Sequence, residues 1–399
     1  MSSFEEKFEQ AVKDGVFPGA ILMARDVSGK LDYAKVFGSL SMDKDAQPLQ
    51  LDSILFLASM TKLLTSIAAM QCVERGLISL DTDVGDLIPS LAAQPILHGF
   101  DANDKPILSK RKNAIKFVHL LTHSAGTSYD KMVPMLEKYR TQIGQPENRA
   151  TMENKCVYPL LFEPGTHWSY GTGTDWTGKI IELLTGKTLQ QYMDENIFTP
   201  LGISRIQFTP YVTEEMKVQA ASIALRIPDG KLVNLPRSKN IDFGDLECFG
   251  GHGGYADLTN YFKILESLLL DDGKLLSPSS TAIFFSPHLS TPSRKAINTI
   301  FAQPEISAVF VGSFPESVEY DWGIGGVVLR ENGEKRGKGT MAWSGMPNLF
   351  WWVDREKGVC GLFGTQVYPP GDGKVGEMID LFEREVYERV EGGGGGAKL

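Results

Sequence analysis

Leu57-Ala58-Ser59-Met60-Thr61-Lys62-Leu63-Leu64-Thr65-Ser66-Ile67 is the stretch on which the reading of this 399-residue chain turns. Met60, Leu63, Leu64, Ile67, Met70 and Val73 recur at helical spacing, which predicts a buried helix. It should stop at Gly76, where a glycine just past the last turn belongs. Ser59 stands in the first turn and Lys62 three residues on, so the two share a face. Ser59 also lies near the positive end of the helix dipole. A serine becomes a nucleophile when a base takes its proton, and an amine held in apolar surroundings can serve. The pattern Ser-x-x-Lys occurs at Ser41/Lys44, Ser59/Lys62, Ser109/Lys112 and Ser128/Lys131. Ser109 lies in a basic loop, and Ser41 and Ser128 stand beside Asp43 and Asp130 in polar turns. Only Ser59 leads into an apolar helix. The competing reading is a helix cap with an exposed lysine behind it.

Composition bounds the rest. Hydrophobic content of 42% and charged content of 22% belong to a soluble globular chain of one large or two ordinary domains. A net charge of −9 argues against nucleic acid as the partner. Cys72, Cys156, Cys248 and Cys360 are widely spaced, form no metal-type pair and read as small buried residues. His119 and His123 have ligand spacing on a helix, but no cysteine or carboxylate cluster accompanies them, so no metal site is expected. The acidic, amphipathic start is no signal peptide, and no apolar run approaches membrane-spanning length. An intracellular protein is expected.

Residues 3–14 read as an amphipathic helix, and Ala20 to Arg25 and Tyr33 to Phe37 as two strands. Ile54-Leu55-Phe56 delivers the chain to the Ser59 helix. A short helix is expected after the capping residues of Leu77–Val84. Residues 81–299 then read as mostly helical. They include an irregular stretch at 127–160 of lid or binding-wall character. Gly250-Gly251-His252-Gly253-Gly254 allows close backbone approach, and Tyr255–Thr259 is expected to open a helix through Leu270. Strands return after residue 300, with an Asn332-Gly333 hairpin signal, and Lys374 to Val390 closes the chain as a helix. Strands at both ends imply one sheet domain from residues 1–80 and 300–391. A helical domain from 81–299 is inserted, and a glycine-rich tail follows at 392–399.

A nucleophilic Ser59 needs a proton relay and an oxyanion hole. Tyr170 is the relay candidate, hung from the loop that follows the Glu163-Pro164-Gly165 turn. Ala342-Trp343-Ser344-Gly345-Met346-Pro347 offers small residues at a strand edge, where the backbone N–H of Met346 could join that of Ser59 around an oxyanion. Taken singly, an ordinary half-buried tyrosine and a tight turn are the better readings of these two.

In their order, the three elements resemble the penicillin-binding-protein and class C β-lactamase superfamily. Phe17-Pro18-Gly19-Ala20, His119-Leu120-Leu121-Thr122-His123-Ser124-Ala125-Gly126, Phe162-Glu163-Pro164-Gly165 and the Gly250–Gly254 run fall in the superfamily's usual order, so the resemblance spans roughly residues 4 to 390. Thr61-Lys62-Leu63-Leu64-Thr65 and Trp343-Ser344-Gly345-Met346-Pro347-Asn348 look most like the fungal transesterases of the lovastatin acyltransferase type, with bacterial family VIII esterases nearby. The resemblance implies an α/β (α+β) fold with an antiparallel sheet flanked by helices. It further implies Ser59, Lys62 and Tyr170 as catalytic residues. Two departures matter. Thr172 stands where penicillin-recognising relatives have asparagine, and Trp343 where they have a lysine that pairs with the lactam carboxylate. Without that cation an anionic lactam loses its charge-assisted contact, which favours an acyl ester or thioester.

The expected function is therefore acyl transfer through Ser59, from a coenzyme A or carrier-protein thioester, or from an ester, to a small alcohol acceptor. A plain carboxylesterase and a non-catalytic ligand-binding relative are the alternatives. Trp168, Trp343, Ser344, Gly345, Thr172, Tyr129 and Phe249 are expected around the substrate, and no cofactor is required. The terminal Ala397-Lys398-Leu399 resembles the Ser-Lys-Leu peroxisomal signal, held out by five glycines, so a peroxisomal import receptor is an expected partner.

Overall fold

A computed structural model describes residues 3–144, 150–235, 245–307 and 309–392; Ala397-Lys398-Leu399 lies outside them. Both ends of the chain build one seven-stranded antiparallel sheet. Its spatial order is Tyr320–Trp322, Val327–Leu329, Met341–Gly345, Leu349–Asp354, Val359–Gly364, Gly19–Asp26 and Asp32–Gly38. Leu349–Asp354 and Val359–Gly364 are buried along their whole length, so they read as continuous apolar runs. Successive strand residues face opposite ways. The Phe363 ring packs on Phe8 and Phe17, tilted and edge-on, whereas Gly364 lies against Leu258. The Phe4–Lys13 and Leu258–Leu270 helices therefore cover opposite faces.

The first of these helices starts on a Ser3/Glu6 capping box and buries Phe8 and Ala11. The last helix, Gly373–Glu391, packs Phe382 and Tyr387 on Trp352. A buried ion pair ties it to the connection at 330–340: Arg336 meets Glu383 through two hydrogen bonds of 2.5 and 3.0 Å.

The helix after Ser59 runs from Thr61 to Glu74 and is buried on every side from Thr61 through Cys72, rather than on one stripe. It ends with Gly76 in the left-handed region, as expected. Four expectations change. Leu77–Val84 forms no helix, because Ser79 and Thr82 satisfy one another in a tight turn; the short helix comes later, at Pro89–Ala92. The irregular 127–160 stretch contains helices at Pro134–Ile143 and Met152–Cys156. Gly254–Asp257 is a strand, set between Ile54–Phe56 and Ile206–Phe208, and Asp257 then caps the helix beginning at Leu258. Asn332-Gly333 is no two-residue hairpin: the Gly333 N–H bonds to Arg336 within the longer 330–340 connection, and the Asn332 side chain accepts from the Lys338 N–H.

Candidate active site

The chain reaches Ser59 through a strained corner. The Leu57 N–H pairs with the carbonyl of Gly254 at 2.9 Å, which fixes the end of the Ile54–Phe56 strand beside the glycine run. Ala58 then takes φ +46°, a left-handed conformation that costs an L-residue about 1–2 kcal/mol. A single 3-10 turn, Ala58–Met60, follows and feeds the helix at Thr61. Ser59 is left half-buried at the corner. The Met341–Gly345 strand ends against the same corner. A Cβ on Gly345 would lie 2.3 Å from the Leu57 carbonyl oxygen, so only glycine allows this approach. Ser344, Gly345 and Met346 thereby stand beside the Ser59 turn.

Lys62 is 2% exposed, which removes the exposed-lysine reading. Burying an amine is costly unless its hydrogens find acceptors. Its Nζ donates to the Gly251 carbonyl at 2.8 Å and to Tyr129 Oη at 2.9 Å, and lies 3.4 Å from Ser59 Oγ. Tyr129 in turn donates to Asp175 Oδ2 at 3.2 Å, and the Gly251 N–H donates to Asp175 Oδ1 at 2.8 Å. A Cβ on Gly251 would fall 2.5 Å from that carboxylate, so the glycine run exists here for close packing. Burial pushes the Asp175 carboxyl up, but His252, Lys62 and the Gly251 N–H outweigh it and hold it below its ordinary value. Burial, with the Asp175 charge, pushes Tyr129 well above the usual phenol range, so it keeps its proton. His252 Nδ1 stands 3.2 Å from Asp175 Oδ1 without the alignment of a hydrogen bond, and Lys155 bridges His252 Nε2 and Asp245 at 3.1 and 2.7 Å.

Tyr170, the relay candidate, meets Lys62 through its ring. Lys62 Nζ lies 4.7 Å above its ring centre, in cation–π contact, and the phenol oxygen accepts a hydrogen bond from Trp343 Nε1 at 3.1 Å. The His123 ring packs 4.6 Å from Tyr170 and its Nδ1 accepts the Gly171 N–H at 3.3 Å. Burial, then the Lys62 charge, keeps this imidazole well below its ordinary value and hence neutral. Ser128 donates to the Tyr170 carbonyl, which straps the Tyr129 loop to the Tyr170 loop. Ser59, Lys62, Tyr129, Tyr170, Trp343 and the Ser344–Met346 edge are thus brought together.

Trp168 and Phe249, expected as cleft walls, are packed behind it. Trp168 is buried against His123, Trp322, Phe301 and Phe310, and Phe249 beside His252 and Lys155. Thr172 is buried at the start of the Gly173–Thr185 helix. Sequence reasoning missed Asp175. Its one signal was an acidic residue beside Trp176, on a helix whose apolar residues include Ile180 and Ile181. His119 and His123 do not form a metal pair: His119 Nδ1 accepts the Lys116 N–H at 3.2 Å, and among the described residues no group of three or more His, Cys, Asp or Glu could hold a metal ion. No described helix is long and apolar enough to cross a membrane.

The β-lactamase family profile matches residues 4–381. The chain belongs to the β-lactamase family. Within the family it is 37% identical to a lovastatin esterase of Penicillium rubens, over 96% of this chain and 97% of that one. It is also 37% identical to a monacolin J acid methylbutanoyltransferase of Aspergillus terreus, over 98% and 96% of the two chains. The unliganded simvastatin synthase LovD from Aspergillus terreus superposes with a TM-score of 0.87 at 36% identity, over 98% of each chain. This β-lactamase-family protein is accordingly a serine acyltransferase or esterase of the β-lactamase-like fold.

Proposed function

We propose that this protein is a transesterase that moves an acyl group from a thioester or ester to an alcohol of a small secondary-metabolite-like acceptor, through an acyl-enzyme on Ser59. The observation that carries the reading is the buried Lys62 nitrogen, 3.4 Å from Ser59 Oγ in a half-buried corner. Hydrogen bonds in substrate-free sites commonly tighten when substrate arrives. Ser59 Oγ attacks the acyl carbonyl as its proton passes to Lys62. The backbone N–H groups of Ser59 and Met346 receive the oxyanion, and the leaving thiol or alcohol departs with a proton returned by the Lys62–Tyr170 pair. The acceptor alcohol then attacks the acyl-enzyme and gives its proton to the same pair, which returns it to Ser59 Oγ as the Ser59–acyl bond breaks and the new ester leaves.

Trp343 sets the substrate class. It places a neutral N–H donor and an indole where a lactam-binding lysine stands in penicillin-recognising relatives. An anionic lactam finds no cation there, and the indole itself is buried against Tyr170, Phe310 and Trp322. The relatives' names suggest a short branched acyl chain such as methylbutanoyl, and the thiol we propose for it is coenzyme A or a carrier protein. Hydrolysis is the second reading, because an esterase and a transferase are equally similar to this chain at 37%. A fluorophosphonate probe should add its mass at Ser59. Acyl thioesters supplied with and without alcohols should give ester rather than free acid as the main product; free acid alone would favour the esterase. The finer reading of address is import into peroxisomes through Ala397-Lys398-Leu399. An N-terminal fluorescent fusion should co-localise with a peroxisomal marker and become diffuse when those three residues are deleted.

A further inference from the structure

The hydrogen bonds behind Lys62 have a fixed direction, and Asp175 sets it. The Gly251 N–H is a donor and nothing else, so Asp175 Oδ1 must accept from it at 2.8 Å. An ionised carboxylate is an acceptor only, so Tyr129 must donate its single proton to Oδ2, at 3.2 Å. The Tyr129 oxygen therefore has only lone pairs to offer Lys62 Nζ, at 2.9 Å, and the Gly251 carbonyl at 2.8 Å has only lone pairs as well. Two hydrogens of the Lys62 nitrogen are committed to these two acceptors. The remaining tetrahedral direction faces Ser59 Oγ. On a neutral amine that direction carries the lone pair. One residue, Gly251, anchors both ends of the loop of hydrogen bonds, through its N–H and its carbonyl.

We propose that Asp175 is a positioning residue that holds the Tyr129 hydroxyl turned away from Lys62, so that the lone pair of the lysine faces the Ser59 proton. The proposal rests on the reading of Ser59 and Lys62 given above. Were Asp175 an amide with its oxygen kept on the Gly251 N–H, its NH₂ would face Tyr129. The phenol would have to accept from that NH₂ and turn its own proton onto Lys62. That proton would compete with the serine for the same lone pair. The opposite amide orientation would set NH₂ against the Gly251 N–H. Either arrangement disfavours proton transfer from Ser59, although the side chain keeps its shape.

The test is the pre-steady-state acylation rate with p-nitrophenyl butyrate, measured on folded protein with its thermal midpoint recorded. Asp175→Asn should lower the rate about 10²-fold, the lower end of what a general base contributes. Tyr129→Phe, which removes one acceptor but leaves no competing donor, should lose less, about tenfold. The double variant should recover to within about threefold of Tyr129→Phe, so that removing the hydroxyl raises the rate of Asp175→Asn. A structural role alone would leave the double variant as slow as Asp175→Asn or slower, and that result overturns the proposal, as does a wild-type rate in Asp175→Asn. Ser59→Ala runs alongside: if it still acylates, the function reading falls for its own reason. Should Asp175→Asn fail to fold, neutron diffraction of the deuterated parent protein decides, with a deuteron expected between Tyr129 and Asp175. A deuteron between Tyr129 and Lys62 would overturn the proposal.

Discussion

At Ser59 the expected effect of truncation is complete loss, because among the described residues no other hydroxyl shares the Lys62 nitrogen with Tyr129 and Gly251. Ser59→Ala should abolish the acyl-enzyme seen by mass, and near-normal turnover in that variant would sink the assignment. Lys62→Ala and Tyr170→Phe should each lower kcat on the order of 10²-fold or more, within the roughly 10²–10⁴-fold range of general-base contributions. Trp343 makes a separate claim. Its indole donates to the Tyr170 oxygen at 3.1 Å, so Trp343→Phe leaves a smaller aromatic ring and removes a hydrogen bond worth about 1 kcal/mol. Turnover of an uncharged ester should fall roughly fivefold, since 1.36 kcal/mol is tenfold in rate. Penicillins and cephalosporins should be hydrolysed negligibly by the parent protein. Efficient cephalosporin turnover would show that the lysine missing from position 343 does not govern substrate charge.

The corner that presents Ser59 is an element with a conformational demand of its own. Ala58 sits in the left-handed region with its side chain buried at 3% exposure. A β-branched residue resists that conformation more than alanine does. Ala58→Val should destabilise the protein by about 2 kcal/mol or more and slow acylation, whereas Ala58→Gly should stay within about 1 kcal/mol of the parent. Denaturant midpoints with a burst assay check both; a valine at parental stability would mean that the corner is not left-handed.

Elements also differ in how far they can be read from sequence. Gly19–Asp26 and Leu349–Asp354 are legible because apolar and β-branched runs end at turn residues. Gly254–Asp257 is not, because four residues give no period, and its strand form comes from pairing with Ile54–Phe56 and Ile206–Phe208, both distant in the chain. The Ser59/Lys62 pair is legible because helix geometry alone puts residues three apart on one face. The approach of Tyr129, Asp175 and Gly251 to that pair is set by tertiary packing, for which local pattern carries no signal.

The whole molecule carries buried charge whose sign sets its response to acid. Burial pushes the Glu383 carboxyl up, but Arg336 and Lys335 outweigh it and hold the group below its ordinary value of 4.5. A group depressed in the folded state stabilises fully above its unfolded value and loses that stabilisation as pH falls through its folded value. Asp175, also depressed, has the same sign. Asp245 and Asp321, raised by burial, have the opposite sign, so the test compares a variant with its parent rather than reading one curve. Thermal midpoints should fall on acidification below about pH 5. Glu383→Gln should lower the midpoint at neutral pH, since breaking a buried pair costs about 3–5 kcal/mol, and should flatten the acid slope. An unchanged slope would show that Arg336 and Glu383 do not carry the acid response.

The central sheet also dictates a timetable. Thr365 hydrogen-bonds the Gly19 carbonyl across 346 residues of chain, and Gly19–Asp26 takes Val359–Gly364 as a neighbour. At about 5–20 residues per second of synthesis, the first strand waits roughly 20–70 s for that neighbour to be made. Until then the Gly19–Asp26 and Asp32–Gly38 hairpin has both edges unpaired, and the Gly19–Asp26 edge is open to pairing with another chain. The corner at Ser59 waits as well, because Met341–Gly345 must arrive to complete it. The nascent protein should therefore not acylate on the ribosome, and its yield in a cell should depend on whatever shields that edge during the wait.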